Sequence, residues 1–304
     1  MKPTRPLTGL VAAVHTPFRP DGSLHLDVVE AQAAHLRAWG IDLAFLGGST
    51  GEGHSLSLEE RRALARRWVE VARGTALGVV VHVGANCLAD SRALAAQAEE
   101  LGAVAISALA PSYFKPRDTD ALVACCADVA AAAPRTPFYF YDIPALTGVS
   151  LSMPDFLERA EGRLPTLAGI KFTSPDLMAY QLCLRAANGA FDVPYGVDEW
   201  LLATLALGAR GAVGSTYNFV APLYGRMLRA FAASDLVTAQ QLRSVRLVRL
   251  LAGYGYMGAA KAVMAMLGVD VGPPRLPNPD LSSGQAAELR RRLESLGFFD
   301  WIRS

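Results

Sequence analysis

The feature that most constrains this chain is an alternation that repeats eight times. Short runs rich in β-branched and aromatic residues fall at 8–15, 42–48, 77–85, 103–110, 136–143, 167–174, 192–198 and 211–217. Between and after them, amphipathic runs fall near 25–39, 58–73, 88–101, 118–133, 153–162, 176–187, 199–208 and 222–233. Strands separated by helices pair in parallel, because each crossover returns the chain to the same end of the sheet. Eight such units within roughly 230 residues predict a (β/α)8 barrel of the TIM type. A doubly wound open sheet would want a G-x-G-x-x-G turn after the first strand, and Ala12-Ala13-Val14-His15-Thr16-Pro17 is not one.

Helix punctuation agrees with this reading. Ser57 before Leu58-Glu59-Glu60 forms a capping-box pattern, and Gly40 and Gly102 stand where left-handed C-terminal positions are expected. Beyond residue 234 no strand pattern remains. Residues 235–268 read as helix with a break around Gly253–Gly258, Gly272-Pro273-Pro274 ends that stretch, and 282–296 reads as a last helix. The expected organisation is a catalytic barrel over 1–224 with a C-terminal helical extension over 225–304.

Composition narrows the function class. With 29 basic and 28 acidic residues, the net charge of +1 offers no basic face for nucleic acid or membrane surface. The 52% apolar content over 304 residues suffices for a large core without disulfides or metal. No run of 18 apolar residues suggests a membrane span, and the first residues do not read as a secretory signal. Cys87, Cys125, Cys126 and Cys183 contain no C-x-x-C pair, which points away from a zinc site or disulfide framework and toward a reducing, cytoplasmic setting. Histidines 15, 25, 35, 54 and 82 show no metal-ligand spacing, so no metal is expected.

Lysine is scarce, at positions 2, 115, 171 and 261 only, whereas arginine is common. In Leu167-Ala168-Gly169-Ile170-Lys171-Phe172-Thr173-Ser174, period two puts Lys171 and Thr173 on one face and Ile170 and Phe172 on the other. The lysine then faces the barrel interior near its carboxyl end. It can be a snorkelling or paired side chain. It can also be a Schiff-base nucleophile, since burial disfavours an ammonium and populates the free amine, a state closed to guanidinium.

Other chemistry gathers at the same end of the strands. In Phe138-Tyr139-Phe140-Tyr141-Asp142, Tyr141 is nearest the carboxyl end; it is either core or a phenol placed to relay protons for an imine. Gly47-Gly48-Ser49-Thr50-Gly51-Glu52-Gly53 is an ordinary turn or an anion cradle, and it lacks the lysine of a phosphate loop. Asp198 and Glu199 in Gly196-Val197-Asp198-Glu199 can start a helix or, with Gly214 and Ser215 in Gly214-Ser215-Thr216-Tyr217, bind a polyol. Tyr113, in the apolar loop Pro111-Ser112-Tyr113-Phe114, suggests a subunit contact or a lid.

Together, Gly48-Ser49-Thr50-Gly51-Glu52, Tyr141-Asp142-Ile143-Pro144-Ala145-Leu146-Thr147-Gly148-Val149 and Gly169-Ile170-Lys171 resemble the dihydrodipicolinate synthase / N-acetylneuraminate lyase family of class I aldolases. The similarity extends through Gly272-Pro273-Pro274-Arg275-Leu276-Pro277. It is nearer to the lyase branch: Leu146 stands where synthases carry an arginine, and the loop has Ser49-Thr50 where synthases usually have two threonines. Asp142 departs from the His or Asn of some lyases.

The resemblance implies pyruvate chemistry through a Lys171 Schiff base, with no further cofactor. It implies Tyr141 as proton carrier, Ser49 in a relay with Tyr141 and a neighbouring subunit's Tyr113, and Ser49 and Thr50 on the substrate carboxylate. It places Thr173, Gly196, Asp198, Glu199, Gly214 and Ser215 along a hydroxylated tail, with the turn around Tyr254–Met257 bordering it. The implied reaction is the retro-aldol cleavage of a small sugar acid, N-acetylneuraminate, by a homotetramer. The competing readings are another pyruvate-dependent enzyme of the same family, an aldolase for 2-keto-3-deoxy sugar acids before a 4-hydroxy-tetrahydrodipicolinate synthase, and a non-catalytic sugar-acid-binding barrel.

Overall fold

The structure, a computed structural model, describes residues 6–235 and 238–303. Seven parallel strands form one sheet: β1 (Gly9–Ala13), β2 (Leu43–Leu46), β3 (Gly78–His82), β4 (Ala105–Leu109), β5 (Phe138–Asp142), β6 (Leu167–Phe172) and β7 (Gly211–Gly214). Their order, β6-β5-β4-β3-β2-β1-β7, is the strand order of a barrel, with β1 paired to both β2 and β7. Crossover helices cover the outside, as the alternating pattern requires.

The eighth expected strand, 192–198, is not a regular strand. Its place between β6 and β7 is taken by residues 192–196, which make only isolated bridges. Asp192 and Gly196 bond toward β6, while Tyr195 donates to Gly211 O at 3.0 Å and accepts from Val213 N at 2.8 Å. Pro194 sits among them with no N–H to donate, so the ladder is broken at that residue although the barrel still closes.

The helices match the periodicity closely, with Leu58–Ala72, Leu88–Leu101 and Thr119–Ala130 inside the expected spans. Ser57 forms the capping box with Glu60, and Gly102 ends its helix at φ 82°. The helix expected from 222 begins earlier, at Tyr217, and runs to Ala232. Pro222 lies inside it, and the missing N–H bends the helix at Val220 (φ −147°). The C-terminal region folds as Thr238–Ala252, Tyr256–Met266 and Ser283–Leu296, with the expected break between the first two, and a short helix at Phe298–Trp301.

Apolar residues divide between two clusters. The larger lies between barrel and helices and includes Ile170 and Phe172. The smaller fills the barrel with Val11, Leu43, Phe45, Val80, Tyr139, Tyr141 and Val213. A register shift between β5 and β6 near Phe138 and Tyr139 turns Ala168 into this inner cluster. Beyond the irregularity, Ile170 and Phe172 point outward, which leaves Lys171 pointing in.

Candidate active site

The carboxyl ends of the strands enclose a cavity of about 410 Å³. Ser49, Thr50, Tyr141, Lys171 and Thr173 line it, with Gly196, Asp198, Glu199, Gly214 and Ser215 along the wall toward the closing segment and β7. The structure therefore brings together all but one of the expected site residues. Tyr113 is the exception: it is 79% exposed, stacks edge-on against Phe114, and lies outside this chain's own cavity.

Strand pairing creates the central contact. Tyr141 is the register partner of Lys171. Lys171 Nζ lies 3.6 Å from the Tyr141 ring centroid and 3.0 Å from Thr173 Oγ1, and its side chain is 3% exposed. Tyr141 is further placed by edge-on rings from Phe45 at 5.8 Å and His82 at 5.7 Å. Burial and the nearby Arg61 hold His82 well below its ordinary value, so it is a neutral packing partner. The Tyr141 and Ser49 hydroxyls are 3.3 Å apart.

Two glycines are fixed by close approach. A Cβ on Gly196 would stand 1.9 Å from Thr173 Oγ1, and one on Gly214 would stand 1.8 Å from Asp198 Oδ1. Both leave room for a neighbour's functional atom. Asp198 is buried and accepts from the Thr216 backbone and hydroxyl at 2.9 and 2.6 Å. Burial raises both Asp198 and Glu199 above the usual carboxylate range, and the Asp198 charge adds to the rise at Glu199. Asp142, next to Tyr141, is pushed up to about 7 by burial, with Lys171 opposing.

The Gly-rich turn is anchored from below. Glu52, buried and left-handed at φ 50°, ends the turn and pairs with Lys261 at 2.8 Å. Its Oε2 accepts the Arg275 backbone N–H at 2.8 Å and the Asn278 side-chain amide at 3.3 Å. This clasp ties the turn to the C-terminal region.

That region also contributes to the cavity. Tyr256 and Met257, from the expected bordering turn, line it, and Tyr256 Oη lies 2.5 Å from Ser215 Oγ. Val248 and Asn278 line it as well, and no local sequence signal marked them. Among the described residues no cluster of three or more His, Cys, Asp or Glu side chains could hold a metal. The arrangement is suited to covalent amine chemistry on a carbonyl, with a phenol against the amine, hydroxyls on one side and carboxylates on the other.

Comparison with known proteins agrees with this geometry. The model of the dihydrodipicolinate synthetase family matches residues 6–296. An N-acetylneuraminate lyase from Gallus gallus is 40% identical over 305 aligned positions, covering 97% of this chain and 98% of that protein. The structure of Proteus mirabilis N-acetylneuraminate lyase superimposes with a TM-score of 0.94 at 42% identity, covering 97% of this chain and all (100%) of that one. A synthase of the family from Cyanidioschyzon merolae gives 0.87 at 27% identity, covering 96% of this chain and 98% of that one.

Proposed function

We propose that this chain, which belongs to the dihydrodipicolinate synthetase family, catalyses the reversible retro-aldol cleavage of N-acetylneuraminate to N-acetylmannosamine and pyruvate. One observation carries the reading: a buried amine at the floor of the cavity has a phenol ring against it and, among the described residues, a hydroxyl rather than an ion-paired carboxylate as its partner. The lyase relatives supply the substrate.

In this reading Lys171 Nζ adds to the C2 ketone of the open-chain sugar acid. Tyr141 gives its proton to the carbinolamine oxygen, which leaves as water, and the protonated imine remains. Tyr141, now a phenolate, takes the proton of the C4 hydroxyl. The C3–C4 bond breaks, its electrons pass into the imine to give a neutral enamine, and C4 leaves as the aldehyde of N-acetylmannosamine. Protonation at C3 and hydrolysis release pyruvate and restore the amine. Ser49 and Thr50 hold the carboxylate, and Ser49 shares protons with Tyr141 at 3.3 Å. Thr173, Gly196, Asp198, Glu199, Gly214 and Ser215 receive the hydroxylated tail. Unpaired polar groups in such a row reject substrates that lack the matching hydroxyls.

The exposed pair Tyr113 and Phe114 supports a homotetramer in which a neighbour's Tyr113 completes the relay. The four cysteines, all free, support a reducing cytoplasm. No helix among the described residues is long and apolar enough to cross a membrane.

The test is a pyruvate-release assay on N-acetylneuraminate beside a panel of 2-keto-3-deoxy sugar acids. Release from N-acetylneuraminate above the rest is expected. Release only from the keto-deoxy acids would replace the substrate, and release from none would remove the activity.

A further inference from the structure

Behind the acidic wall of the cavity runs a row of buried hydroxyls that the reaction as drawn does not use. Thr216 Oγ1 lies 2.6 Å from Asp198 Oδ2 and 2.9 Å from Tyr224 Oη, which in turn lies 2.5 Å from Ser244 Oγ. Asp198, Thr216, Tyr224 and Ser244 are all buried. The Asp198 carboxylate accepts from the Thr216 hydroxyl, and the Thr216 oxygen rests against the Tyr224–Ser244 hydroxyl pair, so the row ends on Asp198.

The consequence falls on the carboxylate. Oδ2 is saturated by the Thr216 hydroxyl and backbone N–H. Oδ1 is itself buried and meets no donor in strict hydrogen-bonding geometry, although the Tyr217 side chain also acts on the group. Oδ1 packs against Gly214, where a Cβ would stand only 1.8 Å from it. A buried acceptor left without a good donor costs stability, a cost that a donor from a ligand would lower.

We propose that Tyr224 and Ser244, which lie outside the cavity lining, are positioning residues: they hold the Asp198 carboxylate in the orientation in which it receives a hydroxyl of the sugar-acid tail. The proposal rests on the substrate reading above. Ser244 lies on the helix Thr238–Ala252, whose Val248 borders the cavity, so the C-terminal region sets tail recognition through the hydroxyl row as well as by lining.

Tyr224→Phe deletes the middle hydroxyl and keeps the ring that packs on Tyr217. The expected result is a KM for N-acetylneuraminate about tenfold higher, the equivalent of one weakened hydrogen bond. The kcat is expected to stay within about twofold, because the reacting atoms are elsewhere. Half-saturation for borohydride trapping of pyruvate is expected to stay unchanged, since pyruvate has no tail. Ser244→Ala, at the far end, is expected to shift KM in the same direction by less. The double variant is expected to match Tyr224→Phe alone, because the row is already cut.

An unchanged KM in folded Tyr224→Phe would overturn the proposal. So would KM and pyruvate half-saturation rising together, which is the mark of a loosened fold. Should Tyr224→Phe not fold, Ser244→Ala decides on the same two readouts. A wild-type enzyme that releases no pyruvate from N-acetylneuraminate overturns the substrate reading instead. Wild-type release with both variants matching it overturns the hydroxyl row alone.

Discussion

Two lysines of this chain are buried to the same degree, Lys171 at 3% and Lys261 at 2% exposure, and they are prepared for opposite ends. Lys261 Nζ is surrounded by acceptors: Glu52 Oε1 at 2.8 Å, Thr16 O at 2.9 Å and Pro273 O at 3.0 Å, with the Phe18 ring at 4.4 Å. Burial pulls its ammonium down and the Glu52 carboxylate opposes that pull. Lys171 Nζ has one hydroxyl and two aromatic faces. Burial alone therefore does not make a nucleophile. An amine whose three protons all have acceptors is a structural cation, whereas an amine with a single hydroxyl partner has room beside it for a ligand.

The comparison breaks most decisively at Lys171. Lys171→Ala is expected to abolish pyruvate release. Lys171→Arg is expected to be equally inactive despite keeping the charge, because a guanidinium forms no Schiff base. Borohydride with pyruvate is expected to add mass to the wild type at residue 171 and to neither variant. Intact-mass and peptide analysis settles it: label appearing at Lys261 would show that the acceptor shell does not decide which amine reacts.

The two lysines also differed in how far the sequence could speak for them. Lys171 was legible because strand periodicity is local: residues 170–173 alternate, and a cation among branched and aromatic neighbours stands out. The motif resemblance rests on runs as short as Gly169-Ile170-Lys171, which the backbone keeps contiguous. Lys261 carried no such mark, since its partner Thr16 lies 245 residues away and is supplied only by the packing of the C-terminal region on the barrel. Asn278 and Val248 reach the cavity by the same long-range packing. The closing segment was misread in the other direction. Val193 and Tyr195 have strand character, but Pro194 between them removes a ladder donor, so 192–196 holds the barrel shut through bridges only. Tyr113 was legible as an exposed aromatic, whereas the role proposed for it would depend on a neighbouring copy of the chain.

A smaller effect sharpens the structural half of the comparison. Lys261→Met leaves the buried Glu52 carboxylate without its cation, and breaking one side of a buried pair costs roughly 3–5 kcal/mol. Lys171→Met leaves only the Thr173 hydroxyl without its partner, and its cost is expected near 1 kcal/mol. Urea unfolding of both variants beside the wild type reads the difference as a shift in midpoint at constant slope. Equal losses would mean that Lys261 is held by packing and that its acceptors contribute little.

The smallest expected effect lies at the outer edge of the Lys261 clasp. Arg275 binds Glu60 through Nη1 at 2.7 Å and Nη2 at 2.5 Å, and its backbone N–H reaches Glu52. The pair is partly exposed, at 21% and 27%, so solvent screens it, and Arg275→Gln is expected to cost about 1 kcal/mol. The pH dependence separates this pair from the buried one. The bond from Arg275 lowers Glu60 from its ordinary value of 4.5. A depressed carboxylate contributes its stability in full above the unfolded value and loses it as the pH falls through the folded one. The gap between wild type and Arg275→Gln is therefore expected to be constant from about pH 7 down to about pH 5, and to close on further acidification. Urea midpoints at about pH 7 and about pH 3.5 test this. A gap of the same size at both values would assign the contribution of Arg275 to its bonds with the Gly22 and Ser55 carbonyls, which do not titrate, and would leave Glu60 out of the clasp.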